Sequence, residues 1–169
     1  MLGMTLDGDR VEQELSTSGQ PHERRWLWTP WRMQYVGGAK TEPGCVFCRN
    51  LQASDDRESL ILHRDQHAFV IMNLYHYNTG HNMIVPRDHC PSPEIASADS
   101  LLAMAALRAP LIRATRRAIR CEGFNLGMNI GAMAGAGITD HLHEHVVPRW
   151  IGDANFRPVL SNTKVLPEM

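Results

Sequence analysis

His141-Leu142-His143-Glu144-His145-Val146-Val147-Pro148 sets three histidines at alternate positions ahead of a β-branched pair. Successive side chains of a strand leave on opposite faces, so a period of two aims all three imidazoles to one side. On a helix the same spacing would scatter them around the cylinder. Val146 and Val147 favour an extended chain, and Pro148 cannot continue a ladder, so the strand is expected over His141 to Val147. Imidazoles titrate near neutral pH, and three held together suit metal binding or nucleophilic chemistry at phosphorus or carbon. Histidines stacked on a solvated face are the plainer alternative. Strict alternation of a residue that occurs only nine times in the chain argues against it.

Upstream lies Gly131-Ala132-Met133-Ala134-Gly135-Ala136-Gly137-Ile138-Thr139-Asp140, a linker of small residues whose backbone amides could approach an anion closely. A plain flexible hairpin would have the same composition. Before it, Phe124 to Ile130 alternates, with Phe124, Leu126, Met128 and Ile130 on one face and Asn125, Gly127 and Asn129 on the other. A long helix is expected from Ser97 or Asp99 to Arg120. Met104, Leu107, Leu111, Ala114 and Ala118 recur at helical spacing, while Arg108, Arg113, Arg116, Arg117 and Arg120 mostly face away. Pro110 should kink that helix. Further upstream, Ser59 to His63 and Ala68 to Met72 form a hairpin, and Asn82 to Pro86 is a third strand. The predicted class is α+β: a five-stranded antiparallel sheet with one long helix plus shorter helical segments.

At 169 residues the chain suits one domain. Residues 1–22, polar and without the apolar core of a signal peptide, are expected to be a disordered tail, and 23–169 the domain. The segment Arg25-Trp26-Leu27-Trp28-Thr29-Pro30-Trp31-Arg32-Met33-Gln34-Tyr35 carries three of the four tryptophans, expected to be buried against the domain or a partner subunit. A net charge of −1 argues against a nucleic-acid partner, and no apolar run reaches membrane-spanning length. Four cysteines without an export signal suggest reduced thiols in a cytoplasm, available to a metal. Cys45-Val46-Phe47-Cys48 alone is half of a tetrahedral site; a redox pair would call for a βαβ context that is lacking. Cys121, beside the helix end, reads as core.

The sequence resembles the histidine triad (HIT) superfamily, whose signature alternates His with apolar residues and matches His141 to Val147. Asn73-Leu74-Tyr75-His76-Tyr77-Asn78-Thr79-Gly80-His81, followed by Ile84-Val85-Pro86, looks like the family's nucleotide-pocket strand and turn. The Leu27 to Met33 stretch and the close at Pro148-Arg149-Trp150-Ile151-Gly152-Asp153-Ala154-Asn155-Phe156 are similar to bacterial diadenosine tetraphosphate phosphorylases and hydrolases. One departure is Glu144, which occupies a normally apolar position and needs a partner if buried.

The resemblance implies a HIT-like fold and cleavage at the α-phosphate of an adenosine dinucleotide through a covalent nucleotidyl-histidine. His143 would be the nucleophile, with His145 and His141 completing the catalytic set. Asn73, Leu74, Asn129, Gly137, Ile138 and Trp150 would contact substrate, and His81 could line the pocket through the Gly80-His81 turn. The resemblance also implies a structural zinc on Cys45, Cys48, His89 and His141, with Cys90 a substitute ligand, no organic cofactor, and a homodimer. A nucleoside phosphoramidase using the same residues, a zinc hydrolase with metal on the three histidines, and a zinc-stabilised nucleotide-binding module without turnover are the alternatives.

Overall fold

The computed structural model describes residues 44–151; the expected tail and the tryptophan segment lie outside them. Five strands form one antiparallel sheet in the order β1-β2-β3-β5-β4. They are β1 (Ile61–Arg64), β2 (Ala68–Met72), β3 (Asn82–Pro86), β4 (Gly123–Met128) and β5 (Glu144–Arg149). A short helix, α1 (Val46–Gln52), precedes them, and the long helix α2 (Ala98–Ile119) joins β3 to β4. The α+β class and the single long helix stand as expected.

Apolar runs in β2 and β3 reflect a sheet covered on both faces, where alternation disappears from composition but survives in direction. Phe69, Ile71, Met83 and Val85 pack with Phe47 of α1 on one face. Ala68, Val70, Ile84, Leu142 and Val146 pack on the other against Met104 and Leu111 of α2. Phe124, Leu126 and Met128 of β4 join that second cluster, as their alternation predicts, whereas Ile130 falls beyond the strand and is exposed.

The long helix is bounded by local chemistry. Ser97 caps its start by accepting a hydrogen bond from the Ser100 N–H at 3.2 Å. Arg120 ends it in the left-handed region at φ 53°, its N–H donated to the Arg116 carbonyl at 2.9 Å. Pro110 lies inside without ending it. Two expectations change here. Ala114 and Ala118 are exposed rather than packed, and Arg108 does not face away. Its Nε donates to Glu144 Oε2 at 2.9 Å, pairing the carboxylate that β5 buries on the helix side.

The third difference concerns β5, which starts at Glu144 rather than His141 and runs through Pro148 to Arg149. Pairing with β3 stops at Asn82–Val146, so Pro148 is paired with β4 alone, and a proline is tolerated where one side of the strand is open. His141 lies at a bend and His141 to His143 do not ladder, because their polar groups go elsewhere. The Leu142 N–H is donated to the Cys90 carbonyl at 2.6 Å, and the His141 carbonyl accepts from the His143 ring at 2.9 Å.

Candidate active site and metal cluster

The three histidines share the α1 face of the sheet, as alternation requires, but they serve two centres. His141 is 1 % exposed and its Nε2 donates to the Pro86 carbonyl at 3.0 Å. That bond leaves the Nδ1 lone pair facing Cys45 Sγ at 3.2 Å, His89 Nδ1 at 3.3 Å and Cys48 Sγ at 3.5 Å. Cys48 Sγ lies 3.3 Å from His89 Nδ1. Four donors bound to one tetrahedral ion at ordinary Zn–S and Zn–N lengths are about 3.3–3.8 Å apart, so the donors stand close to the edges of a tetrahedron. All four ligand atoms fall within 4.8 Å of one another. The His89 Nε2 side approaches Asp140 at 3.8 Å, a carboxylate placed to orient the ring. Burial holds the His141 pKa below its ordinary value, which favours the neutral, ligating form. This cluster could hold a metal ion, and it is the set expected from the resemblance. Cys90 is not part of it: the side chain sits in the core on the α2 side.

His143 turns the other way. Its Nδ1–H is donated to the His141 carbonyl, so the neutral ring carries its lone pair on Nε2. Burial, opposed by that backbone bond, lowers its pKa and keeps the ring neutral near pH 7. Phe47 packs against both rings, at centroid distances of 5.3 Å to His141 and 5.2 Å to His143. His143 and His145 together line a cavity of about 110 Å³ with Asn73, Tyr75, Tyr77, Met83, Gly135, Gly137 and Ile138.

His81 supplies what the sequence only hinted at. It is 1 % exposed, and its Nδ1 accepts the Tyr77 backbone N–H at 3.1 Å. A backbone amide can only donate, so the neutral His81 ring must carry its proton on Nε2. That proton points at His145 Nδ1, 3.0 Å away. The neutral His145 ring therefore holds its own proton on Nε2. A chain of two imidazoles thus makes His145 a donor, while a carbonyl makes His143 an acceptor. The Gly80-His81 turn was the available signal: Gly80 sits at φ +72°, and a Cβ there would come within 2.6 Å of Ile119 Cδ1.

The other expected residues are placed as follows. Asn73 stands at the cavity with its Oδ1 accepting the Tyr75 N–H at 2.9 Å. Gly137 and Ile138 close the cavity from the glycine loop. Gly131 and Gly135 of that loop adopt positive φ, and Asn129 Nδ2 donates to the Gly135 carbonyl at 3.4 Å, tying the loop to the end of β4. Leu74 is 64 % exposed, and neither it, Asn129 nor Trp150 is among the cavity lining. Cys121 is buried, as expected.

Residues 55–150 match the model of the HIT domain. An AP-4-A phosphorylase of Mycobacterium tuberculosis is 36 % identical over 159 residues, which cover 89 % of this chain and 81 % of the relative. An adenylylsulfatase of Arabidopsis thaliana is 34 % identical over 115 residues, covering 68 % of this chain and 56 % of that one. Among solved structures, a Zn-bound histidine triad family protein from Mycobacterium smegmatis superposes with a TM-score of 0.56 at 27 % identity, covering 65 % of this chain and 78 % of its own.

Proposed function

The chain belongs to the HIT domain family, and from that premise we propose that it cleaves an adenosine dinucleotide of the diadenosine tetraphosphate type at the α-phosphorus. The observation that carries this reading is the opposite tautomer assignment of two neighbouring histidines in one cavity. His143 Nε2 would attack the α-phosphorus, forming an N–P bond as the bridging P–O bond breaks. His145 Nε2–H would pass its proton to the departing phosphate oxygen, and His81 would supply the hydrogen bond that keeps His145 in that form. The leaving group from diadenosine tetraphosphate is then ATP. Phosphate or water, attacking the nucleotidyl-histidine in turn, would release ADP or AMP and restore His143.

The remaining expected residues fit supporting roles. Amides near Gly137 and Ile138 would meet charge developing on the phosphoryl oxygens. Asn73 would hold the ribose, Leu74 the base, and Asn129 would brace the glycine loop. Trp150 would border the leaving group. We further propose that Cys45, Cys48, His89 and His141 hold zinc. When bound it would be a structural ion, fixing the start of the triad against α1. His141 would then serve by position rather than by touching substrate. The M. smegmatis relative supports zinc by its description. A homodimer is supported by the position of β4, which pairs with β5 alone among the described residues. Among those residues no helix is long and apolar enough to cross a membrane; a cytoplasmic setting is part of the proposal.

A second reading rests on the adenylylsulfatase relative: the same residues would release AMP from a smaller adenylyl conjugate. Product analysis separates the two. Diadenosine tetraphosphate incubated with phosphate should yield ADP plus ATP, without phosphate AMP plus ATP, and neither with His143→Ala. Turnover of adenylylsulfate but not of the dinucleotide would replace the first reading with the second. No turnover of either would leave a binding module.

A further inference from the structure

A cavity larger than the candidate catalytic one opens elsewhere. It is a groove of about 600 Å³ on the opposite face of the sheet, between α2 and the β1–β2 edge. Leu62, Val70 and Met72 line it from the sheet, Leu107, Leu111 and Ala114 from the helix. This explains why Ala114 and Ala118, spaced as core residues, are exposed. The helix prepares an apolar face here that no described residue covers, and apolar surface of this kind left to water is costly.

Three side chains bring polar groups to this mainly apolar lining: His63, Asn82 and Thr115. Asn82, 3 % exposed, donates its Nδ2 to the Gly80 carbonyl at 2.9 Å and approaches Thr115 Oγ1 at 3.4 Å. Its Oδ1 is buried with no hydrogen-bond partner. The Gly80 carbonyl can only accept, so the amide cannot be turned over, and the orphan is an acceptor that wants a donor. The occupant should therefore be large, apolar and equipped with a hydrogen-bond donor, which reaches the buried Oδ1 once the Asn82 side chain shifts toward the groove. Indole meets all three demands, since its N–H is donor-only on an aromatic body.

We propose that this groove seats the segment Trp26–Tyr35 of the same chain, with an indole N–H donated to Asn82 Oδ1. The segment carries the indoles at 26, 28 and 31. The chain between Trp31 and Gly44 can span about 40 Å at ~3.3 Å per residue, against a five-stranded sheet roughly 20–25 Å across. It can thus pass around β1, the edge strand, from the α1 face to the α2 face. Residues 152–169 contain no tryptophan. Their entry is also held away from β1, because the Ile151 N–H is donated to Glu122 Oε2 at 2.7 Å, beside β4 at the far edge. Gly80 and Asn82 form part of the groove and flank His81, so the seated segment would brace the turn that carries the His145 partner.

Photo-crosslinking of the full chain tests this. A benzoylphenylalanine is placed at Ala114, or at Ala118 as a second exposed position should the first disturb folding. A mixture of 15N-labelled and unlabelled protein is irradiated and digested with trypsin. The expected result is a cross-link to the Trp26–Arg32 peptide carrying one isotope label throughout, formed within a chain. Capture of residues 152–169, mixed-label capture from a second copy, or no capture by protein with an unchanged circular dichroism spectrum would each overturn the proposal.

Discussion

His141 and His143 are two residues apart, face the same way, are both buried, and each spends one ring nitrogen on a backbone carbonyl. They differ in which nitrogen. His141 gives Nε2–H to Pro86 and is left with Nδ1 toward two thiols and a second imidazole. His143 gives Nδ1–H to His141 and is left with Nε2 toward a cavity. One hydrogen bond per ring therefore divides a single motif into a half that could hold a metal and a half that we propose to be reactive. Residue type, burial and spacing are shared; the carbonyl each ring meets decides its chemistry.

The largest expected effect breaks the reactive half alone. His143→Ala should reduce kcat on diadenosine tetraphosphate by at least about 10³-fold, as loss of a nucleophile does, while bound metal stays stoichiometric by elemental analysis. Loss of metal in that variant would mean the two halves are one site and would favour a zinc hydrolase. The metal half should fail in the opposite way. Cys48→Ser, or chelation, should lower Tm by more than about 10 °C, since a few kcal/mol of binding energy tied to folding moves a domain of this size by that much.

His81→Phe sharpens the reactive half from behind. It removes the donor that sets the His145 tautomer, and kcat should fall about 10–100-fold, a fraction of what a proton donor contributes. A substrate whose leaving group needs no proton should recover most of that loss, whereas simple unfolding would depress both substrates equally. The smallest effects belong to the far side of β5. Arg108→Ala strands the Glu144 carboxylate and should cost about 1–3 kcal/mol in denaturant unfolding, less than for a fully buried pair because the arginine is partly solvated. Glu144→Leu removes the charge together with its need for a partner and should change stability by less than about 1 kcal/mol. If it costs more than Arg108→Ala, the ion pair supports the triad strand in a way burial alone does not explain.

The sheet was legible where both faces are apolar and turns punctuate the chain: β2 and β3 fall at the expected residues, and α2 within one residue of its cap. β5 was misread at its start because three alternating histidines look like strand whether or not their amides ladder. The backbone groups of Leu142 and His141 go to Cys90 and to a side chain, which no periodicity announces. The outward reading of Arg108 failed for a related reason, since its partner lies 36 residues away.

The local pattern by itself determined that three imidazoles share one face, that a glycine loop precedes them, that one long helix follows the third strand, and that Glu144 on the opposite face would need a partner if buried. Steric alternation and helical periodicity are properties of neighbouring residues, so sequence order carries them. Tertiary structure alone decided which ring nitrogen His141 and His143 each give to a backbone carbonyl, that His81 stands behind His145 across 64 residues, and that a mainly apolar groove beside a buried, orphaned acceptor opens next to α2. Those depend on hydrogen bonds and burial between distant segments, and they exist only once the sheet has brought the segments together.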